Sequence, residues 1–362
     1  MTQHYRPALR RALAHARPRG SQTIRSGDVA SVITEALTAA GLMDRTTSPK
    51  HEAEPTAGPT GPAGLRLPRG GKTVGRGAGM RVPSGYRTAP PDLPPGSTWA
   101  AHRHSGPEGS RDFRLFLPSP RTDGPSGVLV MLHGCTQDPE DFARGTRMCD
   151  VAEECGLAVV WPQQGPGHNP QSCWNWFRPE DQRREGGEPA IIAAITHRVL
   201  ADLDLPEGRA AVAGLSAGGA MAAILAVTHP DLFAAAGVHS GLPAGSARDV
   251  ASAFAAMRSG RGRQRAGAPL IVFHGTGDAT VAPTNADALV PEPGVETAHG
   301  HDGRRWTRRV TANGSELWRV DGAGHAWFGG DAGGSYADPL GPDASREIAR
   351  FALENMRGSV DA

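Results

Sequence analysis

Between residues 210 and 227 an apolar run, Ala210-Ala211-Val212-Ala213, leads into Gly214-Leu215-Ser216-Ala217-Gly218-Gly219 and on into an alanine-rich segment. The run before the serine reads as a buried strand, and residues 217–227 read as a helix. A serine between them sits on a sharp strand-to-helix turn. Glycine is required at 214 and 218, because a Cβ at either place would meet the neighbouring backbone where the chain doubles back. The turn lifts the serine oxygen clear of the sheet. The start of the helix aims free N–H groups and positive dipole at a reacting carbonyl. A glycine-flanked serine before a helix also has a purely structural reading, so partners elsewhere in the chain decide between the two.

Serine is a poor nucleophile at its own pKa and needs an adjacent base, oriented by a third group. On an α/β sheet the expected chain order is serine, acid, histidine. Asp278 follows the buried run Ile271-Val272-Phe273-His274 through a glycine-rich turn, Gly275-Thr276-Gly277. Asp287 falls inside a later helix and fits less well. His325 follows the last strand, in Asp321-Gly322-Ala323-Gly324-His325-Ala326-Trp327, where the glycines let a loop carry the imidazole over Ser216. His299 and His301 precede that strand in a polar segment and read as solvated loop histidines. His239 also ends a strand but precedes Asp278, so it reads as a structural or pocket-wall residue that borders the substrate. The oxyanion donors expected are the N–H of Ala217 and that of Cys135, the latter in the loop after the apolar run 128–132. Cys135 as a nucleophile is disfavoured, since nothing basic neighbours it in sequence.

The remaining chain supplies the sheet. Residues 111–117 alternate as a half-exposed strand. Residues 128–132, 157–161, 232–238, 270–274 and 316–320 read as strands too. Helices are expected over 138–155, capped by Asp138 with Pro139 behind it, and over 189–203, 247–257 and 344–356. Alternating strands and helices imply an α/β fold: a mostly parallel sheet with helices on both faces and functional loops at the carboxyl ends of the strands. A long loop, 162–187, holds Cys173-Trp174-Asn175-Trp176-Phe177. Trp174 and Trp176 either plug the base of that loop or offer apolar walls and free indole N–H groups to a substrate. Residues 179–185 read as a charged, solvated turn.

His133-Gly134-Cys135-Thr136-Gln137, Cys173-Trp174-Asn175-Trp176-Phe177, Gly214-Leu215-Ser216-Ala217-Gly218-Gly219 and Gly324-His325-Ala326-Trp327 together resemble the polyhydroxybutyrate depolymerase family of esterases, relatives of feruloyl and acetylxylan esterases. The resemblance spans roughly residues 95–357. It implies an α/β-hydrolase fold and hydrolysis of short-chain poly(3-hydroxyalkanoate) or a similar ester. It carries Ser216 as nucleophile, Asp278 as acid, His325 as base, Cys135 at the oxyanion loop, and Trp174 and Trp176 beside the cleft. A feruloyl- or acetylxylan-type carbohydrate esterase is the enzymatic alternative. A polymer-granule binding protein, docking through its N-terminal helices, is the alternative of another class.

Outside this unit, residues 1–45 form an extension with an amphipathic helix over 28–42, and residues 46–95 are a Pro/Gly-rich linker. The catalytic domain is then 96–362. Lysine plus arginine number 38 against 37 acids, a net charge of +1 that gives no electrostatic pull toward nucleic acid. No apolar run approaches the ~20 residues of a membrane span. No phosphate loop, dinucleotide fingerprint or zinc spacing points to a cofactor or metal. The N-terminus lacks the apolar core of a secretory signal, so a cytoplasmic setting is expected, although many members of the resembled family are secreted. A bond between Cys135 and Cys173 is open to the chain, but a reduced pair is expected on the same ground.

Overall fold

The computed structural model describes residues 89–357 except 261, 263, 265, 266 and 302. The expected helix at 28–42 and the linker as far as residue 88 lie outside the described residues. A ten-stranded sheet runs through the described chain. In chain order its strands are β1 (Thr98–Gly106), β2 (Gly109–Leu117), β3 (Gly127–Leu132), β4 (Leu157–Pro162), β5 (Ala210–Leu215), β6 (Phe233–His239), β7 (Leu270–Gly275), β8 (Gly294–His301), β9 (Arg304–Thr311) and β10 (Glu316–Val320). Their spatial order is β1-β2-β4-β3-β5-β6-β7-β10-β9-β8. The block β4-β3-β5-β6-β7-β10 is parallel throughout, and an antiparallel pair closes each flank.

The central strands are apolar on both faces because helices cover both faces. In β3, Val128, Val130 and Leu132 point to one side and Leu129 and Met131 to the other. The first set packs against α3 (Gly187–Asp202) and α4 (Ala217–Thr228). The second packs against α1 (Pro139–Thr146), α2 (Met148–Cys155) and α7 (Ala344–Arg357). Two further helices, α5 (Val250–Ser259) and α6 (Thr284–Leu289), join the first layer.

Besides β1, where no strand is expected, three features depart from the sequence expectation. The helix expected over 138–155 is two helices, broken at Arg147, which stands in the left-handed region at φ 53°. Its N–H closes α1 on the carbonyls of Ala143 and Arg144. The break accommodates close packing, for Gly145 lies against the backbone of Gly334 and Ser335. The segment holding His299 and His301 is not a loop but a hairpin, β8–β9, at the sheet edge. Every residue of β8 is exposed, so the segment shows none of the apolar alternation that betrays a half-buried strand. Finally, β10 is followed by a two-stranded ribbon, β11 (Trp327–Phe328) with β12 (Ala337–Asp338), which folds the chain back on α1.

Candidate active site

Ser216 occupies the turn between β5 and α4 at φ 56° and ψ −116°. Such a conformation is strained for a residue with a Cβ, and strain of this kind concentrates at functional sites. The steric requirement behind the two glycines is met literally. A Cβ on Gly214 would stand 2.4 Å from the carbonyl carbon of Gly218, and one on Gly218 would stand 2.0 Å from the carbonyl oxygen of Leu132. Both obstacles are backbone and cannot rotate away. Gly218→Ala is therefore expected to destabilise the domain by about 3 kcal/mol. Urea denaturation of the purified variant would measure this, and a midpoint equal to wild type would contradict it.

Asp278 and His325 leave the carboxyl ends of β7 and β10, which are hydrogen-bonded neighbours. His325 Nδ1 stands 2.7 Å from Asp278 Oδ2. The other carboxylate oxygen, Oδ1, accepts the N–H groups of Thr280 and Val281, each at 2.9 Å. His274, which no sequence motif singled out, adds a second imidazole. Its Nε2 is 2.9 Å from the carbonyl of Val281 and 3.4 Å from Asp278 Oδ2. A carbonyl only accepts, so His274 carries its proton on Nε2. Burial alone pushes the Asp278 carboxyl upward, but the two histidines and their hydrogen bonds outweigh it and hold it well below the usual carboxylate range. Asp278 is thus a fixed anion whose oxygens are aimed by four donors. Asp287, the weaker alternative, pairs with Arg319 on β10 instead.

Ser216 Oγ makes no hydrogen bond to another described residue. Such pairs commonly tighten only when substrate is bound. The N–H of Ala217 opens α4, and neither it nor the N–H of Cys135 is taken by a backbone acceptor among the described residues. Gly134 lies against the turn, its Cβ position 3.6 Å from the carbonyl of Leu215. Its own N–H is held by Gln137 Oε1 at 2.9 Å, and Gln137 is held in turn by Ser335 and Asp141. His133 is buried with Nε2 accepting the N–H of Gln164 at 3.1 Å, so its Nδ1–H donates to the carbonyl of Gly134. Burial lowers its pKa and keeps it neutral.

Cys135 and Cys173 form a disulfide, against the expected reduced pair. The loop between β4 and α3 folds back over the segment after β3, with Thr136 N–H donating to the carbonyl of Gln171 at 2.8 Å, and this brings the two sulfurs together. The same folding separates the two tryptophans. Trp174 is fully buried, and its indole N–H is used on the carbonyl of His133 at 3.1 Å. It plugs the base of the loop and has no free N–H for a ligand. Trp176 is 7% exposed, packs edge-on against Phe177, and its N–H takes no described partner. His239 is wholly buried between Phe273 and Trp327, so it is not a wall of an open pocket.

Residues 112–293 match the family model described as Esterase PHB depolymerase, half of the chain. The chain belongs to that family. Its curated relatives include poly(3-hydroxyalkanoate) depolymerase C of Paucimonas lemoignei, 33% identical over 191 residues, 48% of this chain and 45% of that protein. A probable acetylxylan esterase A of Aspergillus fumigatus is 31% identical over 144 residues, 39% of this chain and 37% of that protein. The matched part thus spans less than half the length of either relative. Among solved structures, acetyl xylan esterase from Aspergillus awamori superposes with a TM-score of 0.56 at 19% identity, covering 70% of this chain and all of that one. That likeness shows the α/β-hydrolase fold.

Within this PHB depolymerase family member, a buried polar cluster supports the tryptophan loop. Glu188, at the start of α3, accepts the N–H and the side-chain amide of Asn175 at 2.7 and 2.8 Å, together with Gln164. Arg111 of β2 lies 3.6 Å from it. Asp181 accepts the N–H of Glu188 at 2.8 Å and is itself buried. The segment 179–185, expected as a solvated turn, is exposed at Pro179, Glu180 and from Arg183 to Glu185, but turns Asp181 into the interior. Sequence reading missed the cluster because Arg111 is 77 residues from Glu188 and no local pattern joins them. Burial, and then the charge of Asp181, pushes the Glu188 carboxyl up to about 7. A carboxyl raised on folding contributes stability that is complete below its unfolded pKa, near 4.5, and lost as pH rises through about 7. The Tm difference between wild type and Glu188→Gln should therefore shift against wild type between pH 4.5 and 7.5. A difference flat across that range would refute a raised Glu188.

Proposed function

We propose that the chain is a serine esterase acting on carboxylic esters. What chiefly supports this reading is the Asp278–His325 hydrogen bond at the ends of β7 and β10, in the same parallel sheet whose β5 ends in the strained Ser216 turn. With Nδ1 engaged by Asp278, the free Nε2 of His325 takes the Ser216 proton as the oxygen attacks the ester carbonyl. The N–H groups of Ala217 and Cys135 hold the oxyanion, and His325 hands its proton to the departing alcohol. Water, activated by the same Nε2, then frees the acid from the acyl-enzyme. Asp278 stays ionised throughout and holds the imidazole in the tautomer that leaves Nε2 able to accept. Trp176, apolar but with an open N–H, borders the acyl chain.

The substrate we propose is short-chain poly(3-hydroxyalkanoate) or its oligomers. The relatives named poly(3-hydroxyalkanoate) depolymerase and poly(3-hydroxybutyrate) depolymerase favour it. A carbohydrate esterase is the second reading, favoured by the several acetylxylan esterases among the relatives. Parallel kcat/KM values on 3-hydroxybutyrate oligomers, methyl ferulate and acetylated xylo-oligosaccharides separate the two. At least tenfold preference for the hydroxybutyrate series supports the first; the reverse order rejects it. The Cys135–Cys173 bond favours an oxidising compartment for the working protein, contrary to the cytoplasmic setting expected from the sequence. Alkylation of thiols in protein taken directly from cells, before and after reduction, reads this. Four labelled cysteines without reduction would overturn it.

A further inference from the structure

His239 is the residue whose placement the proposed chemistry does not use. Its main chain and side chain meet two different parts of the site. Its carbonyl accepts the N–H of Ser216 at 2.9 Å. Its Nε2 accepts the N–H of Phe328 at 3.2 Å, three residues beyond His325. An N–H can only donate, so Nε2 bears no proton, and Nδ1–H donates to Ser240 Oγ at 3.2 Å. The ring is stacked on Trp327 at 5.0 Å and on Phe273 at 5.7 Å, with Phe328 tilted against it at 4.4 Å. Phe273 immediately precedes His274, and Trp327 lies two residues after His325. Its imidazole is wholly buried.

We propose that His239 is a positioning residue of the ester-hydrolysing site, a buried neutral strut that fixes the loop carrying His325 relative to the Ser216 turn. This rests on the esterase reading. The loop from residue 321 to 326 is tied along its first half, where the Asp321 N–H donates to the Arg305 carbonyl, the Gly322 N–H to Thr276 Oγ1, and the Ala323 carbonyl accepts the Gly277 N–H. Next to His325 it is open, for a Cβ at Gly324 would meet nothing within 4 Å. Its entry is fixed by β10. Its exit is fixed by the Phe328 N–H and the Trp327 stack on His239, together with the Trp327 N–H on the Tyr336 carbonyl and the Trp327 indole N–H on Ser345 Oγ. Because the same residue holds Ser216 through its carbonyl, nucleophile and base are referred to one point at the end of β6. Neutrality matters as well. Burial, with the nearby His274 and His325, drives the His239 pKa well below its ordinary value, so no second positive charge competes with His325 for Asp278.

Asparagine and glutamine separate this role from mere filling of the cavity. A glutamine amide oxygen reaches the place of Nε2 and can receive the Phe328 N–H. An asparagine amide reaches only the place of Nδ1, keeps the Ser240 side, and leaves the Phe328 N–H unpaired. Each variant is titrated with a fluorophosphonate that labels Ser216, and kcat on p-nitrophenyl butyrate is expressed per labelled site. A purely structural residue would lower the number of labelled sites and leave turnover per site at the wild-type value. The expected result is a fall in kcat per site of about tenfold or more in His239→Asn, with KM within twofold, and recovery to within about threefold in His239→Gln. Equal turnover per site in wild type and His239→Asn, or equal losses in the two variants, would overturn the proposal. Should His239→Asn not accumulate as folded protein, His239→Phe, which keeps the stacking and loses the acceptor, is read by the same criterion. Failure of the esterase reading shows separately, as wild-type protein that neither labels at Ser216 nor turns over.

Discussion

Ser216→Ala is expected to lower kcat on p-nitrophenyl butyrate by about 10⁵- to 10⁶-fold, with KM little changed. The loss is large because the remaining groups cannot replace the nucleophile. His325 would still be oriented by Asp278, and the N–H groups of Ala217 and Cys135 would still favour the oxyanion. They would have to act on a water molecule that nothing in the turn positions. The substitution itself is structurally mild. Ser216 Oγ makes no hydrogen bond to a described residue, and alanine keeps the Cβ that the φ of 56° already accommodates. Folding should therefore be unaffected, and a thermal melt run beside the assay makes the loss interpretable. A variant retaining more than about 1% of wild-type kcat would exclude Ser216 as the nucleophile.

The second large effect is expected at Asp278. Asp278→Asn preserves size and shape but should lower kcat by about 10⁴-fold. Oδ1 of the carboxylate accepts the N–H groups of Thr280 and Val281. The asparagine amide oxygen must take that place, which turns the NH₂ toward His325 and His274. His325 Nδ1 would then face a donor and give up its own proton there. The imidazole shifts to the tautomer with the proton on Nε2, and that nitrogen can no longer accept from Ser216. His274, whose Nε2–H points at the same region, would meet a second donor and weaken the local packing. Turnover should fall far more than stability. A loss of less than tenfold in kcat, with an unaltered melting temperature, would show that Asp278 does not orient the base.

What the sequence makes legible is what local sterics and two-sided burial dictate. Gly214 and Gly218 announce the Ser216 turn because the obstacles to a side chain there are the backbone of the turn itself and of the adjacent strand. The strands β3, β5 and β7 are evident as unbroken apolar runs, since helices cover them on both sides. Asp278 and His325 follow from where such runs end. Other features depend on partners far away in the chain. Gly145, two residues before the break at Arg147, packs on Gly334 and Ser335, nearly 190 residues later. The hairpin β8–β9 carries no alternation because its outer strand has no buried face. Trp174 and Trp176 are indistinguishable by spacing, and only the folding of the loop over His133 buries one indole N–H and leaves the other open. Asp181 and Glu188 resemble solvated charges until Arg111 and Asn175 are brought to them.

The order of the strands also has a consequence for the time course of folding. The proposed catalytic groups hang from β3, β5, β7 and β10, which lie near one another in the sheet but draw on residues 133 to 325. No two of these strands form a hairpin, so none of the groups meets its partner through a local contact. Long-range parallel pairing is slow, because the chain must close large loops before any contact rewards it. During refolding from denaturant, helical circular dichroism should return first and ester hydrolysis last, with the Asp278–His325 pair among the final contacts to form.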